Sequence, residues 1–146
     1  MKEILLTQGK VALVDDADYD MVNAAGSWCY KEPGYANSGK HGRMHRWLLC
    51  PRDGLVVDHV NRNGLDNRMD NLRESTQSQN CMNARPRVGE TSRHKGVYLH
   101  RASGKWAAEI RINGKGKYLG IFADELDAAQ VYKQHAEKHF GEFARY

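Results

Sequence analysis

Cysteine is scarce, and the three present, Cys29, Cys50 and Cys81, are odd in number, scattered and never arranged as C-x-x-C. That pattern excludes a disulfide framework and argues against a structural zinc knuckle, so the thiols read as buried or idle. Long apolar runs are missing too. A mean hydropathy of −0.74 excludes a membrane-spanning helix. The opening residues MKEILLTQGK lack the basic region, apolar stretch and small-residue cleavage site of a secretory signal, so the expected compartment is the cytoplasm of whichever cell makes the protein. At 146 residues the chain has room for one ordinary domain or two small ones.

Net charge is +4, and its distribution says more than its size. Residues 1–91 carry 12 basic and 12 acidic groups, whereas residues 92–146 carry 10 basic and 6 acidic. From Arg93 to Lys117 seven basic residues face a single acid, Glu109. Such a segment suits either a polyanion or open solvent.

Hydrophobic patterning divides the chain. Glu3–Thr7 and Lys10–Val14 read as a hairpin around Gln8-Gly9, and Asp15, Asp16 and Asp18 favour a helix start that Gly26 ends. Ser27–Lys31 and Tyr35–Asn37 read as a second hairpin around Pro33-Gly34. The run MHRWLL within Arg43–Leu49 fits helix or strand, and helix is preferred. Leu55–Val60 reads as a strand, and NRNGLDNRMDNLR after it as loop, since its amides and carboxylates can satisfy their own backbone. Thr76 and Gln79 have capping-box spacing, which starts a helix with Asn80 in its first turn. Pro86 and Gly89 mark a boundary in 84–92.

The last third reads as three strands and a helix. Gly96–His100, Lys105–Ile112 and Lys117–Phe122 are separated by Ser103-Gly104 and Asn113-Gly114. Alternation along the middle strand puts Trp106, Ala108 and Ile110 on one face and Lys105, Ala107, Glu109 and Arg111 on the other. A helix capped by Asp124 and running to about His139 covers the apolar face.

Asp58-His59 closes a strand, Asn71 follows twelve residues after His59, and Asn80 nine further on. A carboxylate and an amide oxygen suit Mg²⁺ or Mn²⁺, and an imidazole with an ordinary pKa of about 6.5 can take a proton from water near neutrality. These are the parts needed to hydrolyse a phosphodiester.

The run VDHVNRNGLDNRMDNLRESTQSQN, Val57–Asn80, resembles the HNH homing endonucleases of phages and bacteria, and MHRWLL and LTQGKVALVDDADY resemble their lead-in. The resemblance implies a ββα-metal nuclease unit. It makes His59 the general base, Asp58 and Asn80 the metal ligands, and Asn71 the amide that holds the loop between the strands and supports the histidine. His45, in the lead-in, is a candidate phosphate or support contact, and Arg62, Arg68 and Arg73 are candidate backbone contacts. The paired C-x-x-C elements of one HNH branch are absent, so no zinc is expected.

Residues 95–140, with K-G-V, G-K-W-A-A-E-I-R, Y-L-G-x-F and an Ala-rich helix in order, resemble the plant ethylene-response-factor (Apetala-type) DNA-binding domain. That resemblance implies a sheet lying in the major groove, with Lys95, Tyr98, His100, Glu109, Arg111 and Tyr118 at contact positions and Lys105 and Lys117 near phosphates. Tyr98 and His100 stand where the plant proteins usually carry arginines, and Tyr118 where they carry tryptophan, so the sequence read differs.

The expectation is an α+β protein: a nuclease domain over 1–84, a linker over 85–92, and a sheet domain over 93–146 made of a three-stranded antiparallel sheet on one helix. It would act as a monomer on double-stranded DNA, without a membrane, as a Mg²⁺- or Mn²⁺-dependent endonuclease. The alternatives are a DNA-binding regulator with an inactive nuclease-like half, and an RNA-processing nuclease.

Overall fold

The computed structural model describes residues 1–84 and 91–146. Two compact units make up the chain, Met1–Gln77 and Ser78–Tyr146. The described residues form a mixed α/β protein with four α-helices and four small antiparallel sheets. None of these helices is long and apolar enough to cross a membrane.

In the first unit β1 (Lys2–Leu5) and β2 (Val11–Val14) form the expected hairpin. Gln8 and Gly9 turn it at positive φ, +62° and +64°. Alternation sends Ile4, Ala12 and Val14 inward, where they meet Val22 of α1 (Asp16–Ala24), Trp28, Ala36 and Met44. Asp15 precedes α1 but makes no cap with its side chain. Its carboxylate accepts the Met69 amide at 2.7 Å, tying a distant loop to the start of the helix. Cys29–Lys31 (β3), Tyr35–Ser38 (β4) and Gly42–Arg43 (β5) form a sheet in that order, and Met44–Leu49 is α2, as the preferred reading of MHRWLL expected.

The hairpin that follows differs from the sequence reading in one strand. Val56–His59 (β6) is the expected one, but Leu72–Ser75, the end of a segment read as loop and its sequel, is a strand, β7, antiparallel to it. LRES has no β-branched residue and little intrinsic strand preference. Its pairing with β6 makes it a strand: Asp58 lies opposite Arg73 and His59 opposite Leu72.

The second unit contains α3 (Gln77–Asn83) from Ser78 onward. Met82 packs against the second core, Arg145 Nε donates to Asn83 Oδ1 at 2.7 Å, and Lys95 Nζ reaches the carbonyls of Cys81, Met82 and Ala84, closing the helix C-terminus. The expected linker 85–92 lies outside the described residues except for Thr91 and Ser92. Both of these fold with the second unit, Thr91 Oγ1 accepting the Leu99 amide and Ser92 Oγ donating to Glu125.

Val97–His100 (β8), Lys105–Ile112 (β9) and Lys115–Phe122 (β10) form a sheet with β9 central, and Glu125–Phe140 is α4. Asn113 and Gly114 turn β9 into β10 at φ +51° and +78°, the geometry a two-residue hairpin turn demands. Asp124 Oδ1 accepts the Leu126 amide at 2.6 Å and caps α4. Ala128, Tyr132, Ala136 and Phe140, four residues apart, bury one helix stripe against Val97, Ala108 and Ile110. Gly96 is required here, because a Cβ would collide with the Tyr132 ring and the Glu109 carbonyl.

No cysteine is in a disulfide, but the thiols are not all buried: Cys50 and Cys81 are exposed.

Candidate active site

Asp58 and His59 end β6, and consecutive strand residues face opposite sides. On one side the Asp58 carboxylate, 3% exposed, accepts from Arg73 Nε at 2.9 Å, with a second guanidinium nitrogen at 2.8 Å. The pair is cross-strand and in register, so the hairpin that burial requires also brings the two charges together. Arg73, a candidate backbone contact by sequence, is thus the partner of Asp58.

On the other side His59, 6% exposed, meets an aromatic wall. Its ring centroid lies 4.9 Å from that of His45, edge to face, and 5.9 Å from that of Tyr35, while Tyr35 and His45 are 5.2 Å apart. The wall exists because α2 packs on β6 and β7, turning His45 inward. Burial pushes the His59 pKa below its usual value, against the opposing pull of an Asn67 hydrogen bond and the charges of Asp58 and Asp66. His45, 3% exposed, is pushed down to about 3, first by burial and then by the charges of His59, Arg43 and Arg46. Both imidazoles are therefore neutral at pH 7, the form in which a histidine accepts a proton.

The polar loop between β6 and β7 is held from inside. Asn71, 5% exposed, accepts the Asn61 amide on Oδ1 at 2.9 Å and donates through Nδ2 to the Asp66 carbonyl at 2.7 Å, spanning the loop. Its own carbonyl accepts the Val60 amide at 2.9 Å, immediately after His59. Asp66 receives Arg68 on both oxygens at 2.8 Å and Asn61 Nδ2 at 2.8 Å, and these partners hold its pKa down. Arg68 is therefore bound within the loop. Leu13 of β2 completes the anchoring: its amide donates to the Leu65 carbonyl and its carbonyl accepts the Asn67 amide, both at 2.8 Å. Sequence reading singled out Asn71 but missed Asp66, whose side-chain partners Asn61 and Arg68 lie in the same loop, and Leu13, which carries no local signal for its distant partners Leu65 and Asn67. Arg62 is exposed, with φ +64°.

Asn80 lies on α3, in the second unit, and is half-buried. In that unit Tyr98, His100, Lys105, Glu109, Arg111 and Tyr118 share the sheet face opposite α4: Tyr98 pairs with Ala107, His100 with Lys105, and Tyr118 with Glu109. Tyr98 and Tyr118 are 36% and 56% exposed, with Ile121 at 40% beside them. Tyr98 has its pKa raised by partial burial and by the neighbouring charges of Glu109 and Tyr118, which agrees with a shared face. Trp106 is on the other side, packed on the core.

Two expected contacts lie elsewhere. Lys117 pairs with Ile110, so its side chain stands on the α4 side, where its charge adds to the effect of burial in lowering the pKa of His135. Lys95 is engaged by the α3 carbonyls.

Among the described residues no group of three or more His, Cys, Asp or Glu side chains could hold a metal ion. The hard oxygen donor that the first unit offers at the candidate site is the Asp58 carboxylate. Hard oxygen donors in such small number fit Mg²⁺ or Mn²⁺, which keep several waters and take substrate phosphate oxygens.

A buried neutral imidazole beside an ion-paired carboxylate, on a hairpin whose loop is held by an internal asparagine, defines a hydrolase-type polar site. Residues 49–82 match the family model described as HNH endonuclease. A protein of Acanthamoeba polyphaga mimivirus described as an uncharacterized HNH endonuclease is 32% identical over 126 residues, covering 80% of this chain and 64% of that protein. Protein 3.8 of Escherichia phage T7 is 30% identical over 94 residues, covering 64% of this chain and 76% of its own length. Residues 49–82 thus carry an HNH endonuclease family domain, and over 80% of its length the chain is similar to a protein described as an HNH endonuclease. It spans 64% of the length of the mimivirus relative. No solved structure matches it.

Proposed function

We propose that this protein is a metal-dependent DNA endonuclease of the homing type, whose second unit selects the site that the first cuts. The observation that carries the chemistry is His59, a buried neutral imidazole adjoining the Asp58–Arg73 pair. His59 takes a proton from water, the water oxygen attacks phosphorus, and the bond to the leaving oxygen breaks. Burial helps keep the imidazole unprotonated for that step, and Asn71 fixes the backbone that follows it. Asp58 would hold the cation, a part that the resemblance to the HNH endonucleases also gives to Asn80. When bound, Mg²⁺ or Mn²⁺ supplies stabilisation of the charge developing on the leaving oxygen. Arg73 keeps the Asp58 carboxylate oriented.

The substrate read out is double-stranded DNA, and the reader is the outward sheet face of the second unit, resembling the Apetala-type domain. Arg111, Lys105, Tyr98, His100, Glu109 and Tyr118 stand together there, and the exposed tyrosines and Ile121 add apolar area suited to thymine methyl groups. One metal centre per chain suggests a monomer that nicks.

The test is supercoiled-plasmid cleavage by wild type and His59→Ala with Mg²⁺, Mn²⁺ and EDTA, alongside RNA substrates. Nicking or linearisation that needs the metal and is lost in His59→Ala is the expected result. Intact DNA with binding retained in a gel shift would overturn the enzyme reading in favour of a DNA-binding regulator. Cleavage of RNA alone would overturn the choice of substrate.

A further inference from the structure

The arginines around the candidate site are mostly bound to carboxylates. Arg52 pairs with Glu74, Arg68 with Asp66 and Arg73 with Asp58. Arg43 is held differently. At the junction of β5 and α2 its guanidinium carbon lies 4.7 Å from the centroid of the Tyr35 ring, and the residue is exposed with no carboxylate in ion-pair range among the described residues. A ring face orients a guanidinium without neutralising it. Tyr35 is itself wedged. Its other neighbours are His45 and His59, and Gly64 approaches it so closely that a Cβ there would collide with its ring and with the Gly34 carbonyl. The Arg43 charge is therefore fixed one aromatic ring away from His59, and it reaches the site, being among the charges that depress His45.

A preoriented, unneutralised guanidinium on a ring that also touches two imidazoles contributes no ion pair to the fold, but it matches the forked geometry of a phosphodiester. The intervening Tyr35 ring keeps it off the phosphorus that His59 would serve. Resting on the endonuclease reading above, we infer that Arg43 is a positioning residue that holds the backbone phosphate next to the scissile one on the cut strand, with Tyr35 as its fixed support. The reacting phosphodiester is thereby brought into line with His59.

The experiment uses the full chain. After plasmid cuts are mapped, duplexes are made with a single neutral methylphosphonate at each phosphate flanking the cut, and cleavage by wild type, Arg43→Ala and Arg43→Lys is compared. Wild type should slow on the order of tenfold at one flanking linkage, the scale of a lost charge-assisted contact. Arg43→Ala should be slowed on the order of tenfold on unmodified DNA and no further by that methylphosphonate, and its salt dependence should fall by about one phosphate contact. Arg43→Lys, which retains the charge without the fork, should be slowed about three- to fivefold and keeps the test decisive if Arg43→Ala does not fold. Cleavage by Arg43→Ala or Arg43→Lys within about twofold of wild type, or losses that add in full at every flanking linkage, would overturn the assignment. If wild type cuts no DNA with Mg²⁺ or Mn²⁺, the endonuclease reading falls and this assignment with it. Cutting by wild type, lost in His59→Ala, separates the two failures.

Discussion

The two units solve the problem of polar residues in opposite ways. In the first, charged and amide side chains are turned inward: Asp58, Asp66, Asn67 and Asn71 are all nearly inaccessible, and each is matched to a backbone or guanidinium partner. In the second, the core is a sheet face on an Ala-rich helix stripe, and the polar residues are left on the opposite face. Buried polar groups are costly unless every partner is present, so the first unit is specified by a network and the second by packing. A network positions catalytic groups; a two-faced sheet presents a surface.

The sharpest break of that comparison separates chemistry from binding. His59→Ala is expected to reduce plasmid cleavage by about 10² to 10⁴-fold, the range of a general base, with gel-shift affinity unchanged. Arg111→Ala should do the reverse, weakening DNA binding by about 1–3 kcal/mol while cleavage at saturating protein persists, as a titration at two salt concentrations would read out. Equal loss of binding in both variants would remove the division of labour.

Stability should split in the same way. Asn71→Ala leaves the Asn61 amide and the Asp66 carbonyl without their partner, at a cost of about 2–4 kcal/mol, and thermal unfolding should register it with a loss of cleavage. Gly96→Ala strikes packing in the second unit, where φ is +70° and the Tyr132 ring leaves no space, and a loss of about 1–3 kcal/mol should appear there with His59-dependent chemistry intact.

The smallest effect is in pH. His45 has a folded pKa of about 3 against an ordinary value of 6.5, so below pH 6.5 the unfolded chain takes up a proton that the folded chain refuses. Its contribution is fully present above pH 6.5 and is lost as pH falls toward 3. Between pH 7 and pH 5.5 denaturant titration should show a loss of about 1 kcal/mol that His45→Phe removes.

Legibility followed the same divide. The Asn113-Gly114 turn, the alternation of β9, the Asp124 cap and the helix stripe of α4 all rest on neighbours close in the chain, so they could be read directly. The face of Lys117 was not legible, because its register with Ile110 in β10, which begins at Lys115, puts it on the α4 side. The partners of Lys95 were not legible, because they are carbonyls at the end of α3, more than ten residues away. In the first unit Asp58, His59 and Asn71 were legible as a spaced set of residue types. What each touches was not: Arg73 reaches Asp58 only once LRES is recruited as β7, and His45 reaches His59 only once α2 is laid on the hairpin.

By itself, then, the sequence determined the local elements, the two-faced sheet and the residue types of the candidate site, because periodicity, turns and caps act over a few residues. Tertiary structure alone decided which arginines are spent on carboxylates and which one rests on Tyr35, and which histidines are kept neutral. Burial and ion pairing depend on groups brought together from distant parts of the chain, and a linear pattern carries no record of that meeting.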